Sequence, residues 1–192
     1  HLKNTCISPN WSDKWAQTND ITVSSNDFVT ITGWNESDYT YTTYSTPTYT
    51  ISYAAGTGGS GSKDSESKTC GVDFVLPNSA VFTRTGYKQT GWATEDGGAQ
   101  AYDLGGSYAT NAAQTFYPFW TVNSHTLTWE YDGGTPSGSY TPAGTVAFGT
   151  ALTAPTVTKT GYQFNSWSPA VDATMPDKDV TYTATWTANT YT

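Results

Sequence analysis

The sequence predicts a β-dominated protein made of tandem small modules. Three observations carry that prediction. Thr alone accounts for 37 of 192 residues, the 29 aromatic residues (8 Trp, 14 Tyr, 7 Phe) outnumber the 19 Leu, Ile and Val, and one stretch of chain repeats itself. β-Branched and aromatic side chains suit a pleated, half-buried surface, and this composition excludes a helical bundle resting on Leu and Ala. Leu, Ile, Val and Phe total only 26 residues, a level that by itself would point to disorder. Disordered chains are poor in aromatic and β-branched residues, however, and each ring here can bury a large apolar area.

Residues 1–46 form an N-terminal segment. Trp11 and Trp15 stand four apart, with Ser12 and Asp13 offering capping chemistry, and the spacing predicts one short helix. Residues 47–122 form a first module. It opens on the strand Thr50-Ile-Ser-Tyr53 and runs through Gly58-Gly59 and a Ser/Gly/Lys insertion, Gly59 to Lys68. It closes on Phe116 to Thr121. Residues 123–192 form a second module with a C-terminal tail. In its opening strand Leu127, Trp129 and Tyr131 alternate onto one face, and Asp132-Gly133 is a turn dipeptide. In its closing strand Val180, Tyr182, Ala184 and Trp186 share one face, with Thr on the other. Thr therefore coats the solvated face of the strands. Gly86 and Gly161 mark backbone positions that disfavour a side chain.

The modules emerge by overlaying the chain on itself. Phe82-Thr-Arg-Thr-Gly-Tyr-Lys-Gln-Thr-Gly-Trp92 matches Val157-Thr-Lys-Thr-Gly-Tyr-Gln-Phe-Asn-Ser-Trp167 without a gap at an offset of 75. Thr50 to Tyr53 matches Thr126 to Trp129, and Phe116 to Thr121 matches Tyr182 to Thr187. Trp92 and Trp120 lie 28 residues apart, whereas Trp167 and Trp186 lie 19 apart, so the first copy carries a longer connection, Glu95 to Ala113. Asp38-Tyr-Thr-Tyr-Thr-Thr-Tyr44 echoes Asp179 to Trp186, which makes 1–46 a candidate diverged or incomplete repeat. In modules this small, large rings are expected to fill the centre: Tyr87, Trp92 and Trp120 in one, Tyr162, Trp167 and Trp186 in the other.

These motifs resemble the Listeria–Bacteroides repeat family, the internalin B-repeat type, in two tandem copies. The second copy follows the family pattern through Thr158-Lys-Thr-Gly-Tyr162, Phe164, Trp167, Met175-Pro176 and Tyr182-Thr-Ala-Thr-Trp186. The first departs from it at Gln89, in place of Phe, and at Pro118, in place of Ala. The resemblance implies small β-grasp-like modules with little helix, strung on secreted or wall-attached surface proteins, and implies no enzyme.

Chemistry-bearing residues are sparse. The net charge of −8 and eight scattered cationic residues argue against nucleic acid and against anionic membrane surfaces. No apolar run reaches the length of a membrane span, so no membrane insertion is expected. The two histidines, His1 and His125, adjoin no nucleophile motif, and no cofactor, metal or catalytic residue is assigned. Asp172, Asp177 and Asp179 read as turn acids rather than a calcium loop. Cys6 and Cys70 allow one intramolecular disulfide, worth about 3–5 kcal/mol in the chain-entropy model. Two buried free thiols are the alternative. Asn10-Trp-Ser12 and Asn35-Glu-Ser37 are N-glycosylation sequons, of use only if the host modifies secreted chains.

The expected function is a non-catalytic, extracellular cell-surface repeat protein, an adhesin or stalk, with glycans or host or neighbouring cell-surface proteins as partners. The candidate contacts are the aromatics outside the repeat cores: Trp11, Trp15, Tyr39, Tyr41 and Tyr44. The alternative is a structural subunit that self-associates head to tail into a fibre or surface layer by strand addition. Its motive is the incomplete look of 1–46 and of Ala188 to Thr192, which resembles the start of a further repeat.

Overall fold

The computed structural model describes residues 27–35 and 38–190, with side chains described from Thr46 onward. Every regular element among them is a strand: β1 (Asp27–Asn35), β2 (Asp38–Ser45), β3 (Thr48–Tyr53), β4 (Glu66–Thr69), β5 (Phe74–Val75), β6 (Tyr87–Ala93), β7 (Tyr102–Asp103), β8 (Ser107–Tyr108), β9 (Gln114–Val122), β10 (Ser124–Glu130), β11 (Thr135–Ser137), β12 (Gly144–Ala147), β13 (Thr156–Thr158), β14 (Tyr162–Ser168) and β15 (Val180–Ala188). The protein is thus β-dominated, with no helix among the described residues. The helix expected at Trp11–Trp15 lies outside them. β1 and β2 pair antiparallel, from Asp27 opposite Ser45 to Asn35 opposite Asp38.

The described residues fall into two compact units. One takes in those up to Thr57 with Gly61–Val81 and Gly91–Phe119; the other takes Gly58–Ser60, Phe82–Thr90 and the chain from Trp120 on.

The first unit is organised by a sheet of order β4-β3-β9-β6-β7. β3 and β9, the opening and closing strands of the first copy, run parallel, with Ile51 opposite Gln114 and Tyr53 opposite Phe116. Ile51, Leu76, Trp92 and Phe116 are buried to 1% exposure or less. The long connection between the two Trp positions of this copy supplies β7 and β8, and with them Tyr102 and Tyr108. Tyr102, Tyr108 and Phe116 stack edge to face, with centroids 6.1, 5.6 and 5.3 Å apart, the arrangement that ring quadrupoles favour. The Trp92 indole N–H donates to the Pro77 carbonyl at 3.2 Å.

In the second unit the sheet order is β12-β10-β15-β14, again with the opening and closing strands, β10 and β15, parallel at the centre. β11 and β13 form a separate antiparallel ribbon. The core is Leu127, Trp129, Met175, Val180 and Tyr182, with Tyr131, Leu152 and Trp167 packed against it. The alternation predicted for β10 and β15 is what buries these side chains: Leu127, Trp129, Val180, Tyr182 and Ala184 all face inward. Each fully buried side chain of this size contributes about 1.5–3 kcal/mol.

The six aromatics expected at the two centres need correction. Only Trp92 is fully buried; Tyr87, Trp120, Trp167 and Trp186 are half-buried and Tyr162 is 44% exposed. For Trp120 and Trp186 the cause is register. β10 pairs β15 over Val180 to Thr183, and β3 pairs β9 over Gln114 to Phe116. Trp186 and Trp120 therefore lie beyond the covered stretch. Their places are taken by Trp129, Met175 and Tyr182 in one core and by Ile51, Leu76 and Phe116 in the other.

Two buried polar side chains complete the first copy. Gln89, which stands where the family pattern has Phe, is 2% exposed, and its carbonyl oxygen accepts the Phe82 N–H at 3.0 Å. Lys68 is 1% exposed, and its ammonium donates to the Val72 carbonyl at 2.8 Å and to Asn111 Oδ1 at 2.9 Å. Asn111 Oδ1 also accepts the Gly71 N–H at 2.9 Å. Lys68, at the end of one insertion, is thereby tied to Asn111, in the other.

Candidate functional site

The Thr-(Arg/Lys)-Thr-Gly-Tyr motif forms the same turn in both copies. Tyr87 N–H donates to the Arg84 carbonyl and Tyr162 N–H to the Lys159 carbonyl, each at 3.1 Å. The intervening glycines, Gly86 and Gly161, hold φ of 76° and 81°, a region costly for a residue with a Cβ. The turn folds the cation back over the tyrosine: the Arg84 guanidinium lies 4.1 Å from the Tyr87 ring centroid, and the Lys159 ammonium 4.5 Å from that of Tyr162. A cation at this distance is attracted by the ring quadrupole.

In the second copy this turn borders an open cleft of about 470 Å³ lined by Gly133, Thr135, Thr158, Lys159 and Thr160. Asp132, at φ 48°, and Gly133, at φ 78°, form the turn on the opposite side. The Lys159 ammonium donates to the Asp132 carbonyl at 2.7 Å, lies 3.6 Å from its carboxylate and 5.7 Å from the Trp186 ring. The Trp186 indole donates to the Tyr131 carbonyl at 3.1 Å and packs against Gly134, where a Cβ would overlap the ring. The lining offers three hydroxyls that donate or accept, a charged donor and a nearby carboxylate acceptor. Tyr162 and Trp186 supply aromatic surface beside it.

A second polar cluster surrounds Asp177. Its carboxylate accepts the Gly86 N–H at 3.0 Å and the Asn123 side-chain amide at 2.8 Å, and its Oδ1 lies 2.8 Å from His125 Nε2. These bonds, the Asn123 bond foremost and His125 next, hold the Asp177 carboxyl below the ordinary carboxylate range. Asn123 N–H in turn donates to the Gly86 carbonyl at 2.9 Å. Asp179 accepts the Thr126 N–H at 2.7 Å, and Asp172 accepts the Tyr182 hydroxyl at 2.8 Å. These three acids hold strands and turns in place. Among the described residues no group of three His, Cys, Asp or Glu side chains is placed to hold a metal, and no helix is long and apolar enough to cross a membrane.

Trp11, Trp15, Asn10 and Cys6 lie outside the described residues. Tyr39, Tyr41 and Tyr44 lie on β2, opposite Trp34, Ile31 and Phe28, and Asn35 ends β1; their side chains lie outside the description. Cys70 is 6% exposed, with the Tyr49 hydroxyl 3.6 Å from its sulfur. The residues around Lys159 were not among the sequence candidates. The overlay nevertheless carried a signal for them: two of only eight cationic residues fall at the same repeat position.

A search of curated proteins and a search of solved structures each find no match. The family profile described as Listeria-Bacteroides repeat domain matches residues 49–118 and 125–191. Each match spans an opening strand, a Thr-(Arg/Lys)-Thr-Gly-Tyr turn and most or all of a closing strand, so the chain belongs to the Listeria-Bacteroides repeat family and carries two tandem copies of its domain.

Proposed function

We propose that the chain is a non-catalytic, extracellular surface repeat protein acting as an adhesin, and that its second copy binds neutral glycan in the Lys159 cleft. Family membership supports the setting, since these are typically extracellular surface repeats. The observation that carries the binding reading is the cleft itself, Gly133, Thr135, Thr158, Lys159 and Thr160, beside the rings of Tyr162 and Trp186. Its volume is in the range of small-ligand sites, about 300–1,000 Å³. A hydroxyl-lined cleft suits a polyol, whose own hydroxyls both donate and accept. Asp132 already faces the Lys159 ammonium, which favours a neutral sugar over an acidic one.

The test is a glycan array followed by calorimetry with the neutral oligosaccharides that score, using wild type, Thr158→Val and Lys159→Met. Binding that weakens at least tenfold in both variants supports the reading. Binding that neither variant weakens places the contact elsewhere, with Tyr39, Tyr41 and Tyr44 the next residues to test. No binding to any glycan leaves the protein a stalk.

A further inference from the structure

β6 and β14 are the same strand of the repeat, Tyr87–Ala93 overlaying Tyr162–Ser168 residue for residue. Their outer edges differ. In the first copy β7 lies along β6, with Gly91 opposite Asp103 and Trp92 opposite Tyr102, and the Ala101 N–H donates to the Trp92 carbonyl at 2.8 Å. β7 comes from the long connection that the second copy lacks. Among the described residues β14 accordingly ends its sheet and pairs only with β15. The effect on burial is direct. Gly91, Trp92 and Ala93 are all buried, whereas their counterparts Ser166 and Ser168 are exposed and Trp167 is half-buried.

Protected sheet edges usually carry Lys, Pro or another charge, or twist away at a bulge. β14 reads Tyr-Gln-Phe-Asn-Ser-Trp-Ser, with no charge and no proline. It has one irregularity, between Phe164 and Ser166. The stretch equivalent to the one β7 covers, Ser166 to Ser168, lies beyond that irregularity and is regularly paired to β15.

We infer that β14 is an interaction edge, and that its occupant is β14 of a second copy of this chain, paired antiparallel about Trp167. The first copy shows what this edge accepts: a short antiparallel segment that sets an aromatic residue opposite the tryptophan. β14 meets that specification for itself. Pairing about Trp167 sets Trp167 opposite Trp167 and Ser166 opposite Ser168 of the other chain, so the contact is self-complementary under a two-fold axis. The absence of charge matters in a chain of net charge −8, because this uncharged strand can meet its like without direct repulsion. A two-fold contact of this kind closes on itself and gives a dimer rather than a fibre. The inference is independent of the glycan cleft.

The test is sedimentation equilibrium of the full chain over a concentration series, for wild type, for the double variant Ser166→Lys/Ser168→Lys and for Val75→Lys, a change at an exposed site on β5. Wild type and Val75→Lys are expected to approach twice the monomer mass as concentration rises, and the double variant to remain monomeric. A wild type that stays monomeric at the highest soluble concentration overturns the inference, as does growth beyond a dimer or a double variant that still dimerises. Should the double variant not fold, hydrogen exchange on wild type decides. Protection of the Trp167 amide that rises with concentration supports the pairing, and protection that does not depend on concentration contradicts it.

Discussion

Trp92 and Trp167 occupy the same position in the two copies of the repeat, yet Trp92 is fully buried and Trp167 only half. The difference lies in what covers each strand. β7 lies along the first, with Tyr102 opposite Trp92, and the Tyr53 ring packs 5.3 Å from the indole; no strand flanks the outer edge of the second among the described residues. Trp92→Ala is therefore expected to cost about 3–5 kcal/mol and Trp167→Ala distinctly less. Urea denaturation followed by tryptophan fluorescence measures both. Equal losses would contradict the account of the strand edge.

The paired glycines offer a cleaner comparison. Gly86 and Gly161 have nearly the same φ, but a Cβ on Gly86 would overlap the Phe148 ring while none of its neighbours would crowd one on Gly161. Gly161→Ala should cost only the left-handed backbone penalty, about 1–2 kcal/mol. Gly86→Ala should cost more, because Phe148 must also move. Thermal melts of the two variants give the order.

Gln89→Met tests why one copy departs from the family pattern. Met is apolar and of similar length, but its thioether is only a weak acceptor for the Phe82 N–H. A buried donor left unpaired costs about 1–3 kcal/mol. A variant as stable as wild type would mean that the hydrogen bond contributes nothing.

Asp177 contributes to the acid limb of stability. Its folded pKa lies below the ordinary value, so the unfolded chain takes up the proton first. The contribution of Asp177 is complete above the unfolded value, about 3.9, and is lost as pH falls through the lower folded value. Asp177→Asn should flatten the acid limb of a Tm-against-pH curve. An unchanged acid limb would show that the cluster of Asn123, His125 and Gly86 does not hold the ionised form.

The alkaline limb has the opposite sign. Burial pushes the Tyr53, Tyr108, Tyr131 and Tyr182 hydroxyls above the ordinary tyrosine range, with Glu66 adding to the effect at Tyr53. The unfolded chain loses those protons first, so stability is complete below about pH 10 and falls as pH rises through the folded values. Absorbance titration should show a late-ionising class of tyrosines that merges with the rest in urea. A single class in the folded protein would contradict their burial.

How far the sequence reveals this protein differs from residue to residue. The inward faces of β10 and β15 were legible because alternation alone determines which side of a strand is covered. Gly86 and Gly161 were legible because few residues other than glycine take a left-handed turn. The extent of cover was not. Trp186 and Trp120 read as core residues, but the registers show that their strands outrun the parallel opening strands β10 and β3. Tyr108 gave no signal, since it lies in an insertion whose docking depends on tertiary contacts with Phe116. Lys68 was hidden for a similar reason: a buried lysine depends on carbonyls and an Asn111 that are distant or unmarked in sequence. The Lys159 cleft sits between these cases, its cation visible in the overlay and its depth visible only once the two turns face each other.

The measurement that bears most directly on the proposed function is a two-dimensional NMR titration of the labelled chain with neutral oligosaccharides. The account predicts saturable shifts confined to the amides of Gly133, Thr135 and Thr158 to Thr160 and to the Trp186 indole, all lost in Lys159→Met. Saturable shifts elsewhere, or none with any sugar that the wild-type chain captures on an array, would contradict it.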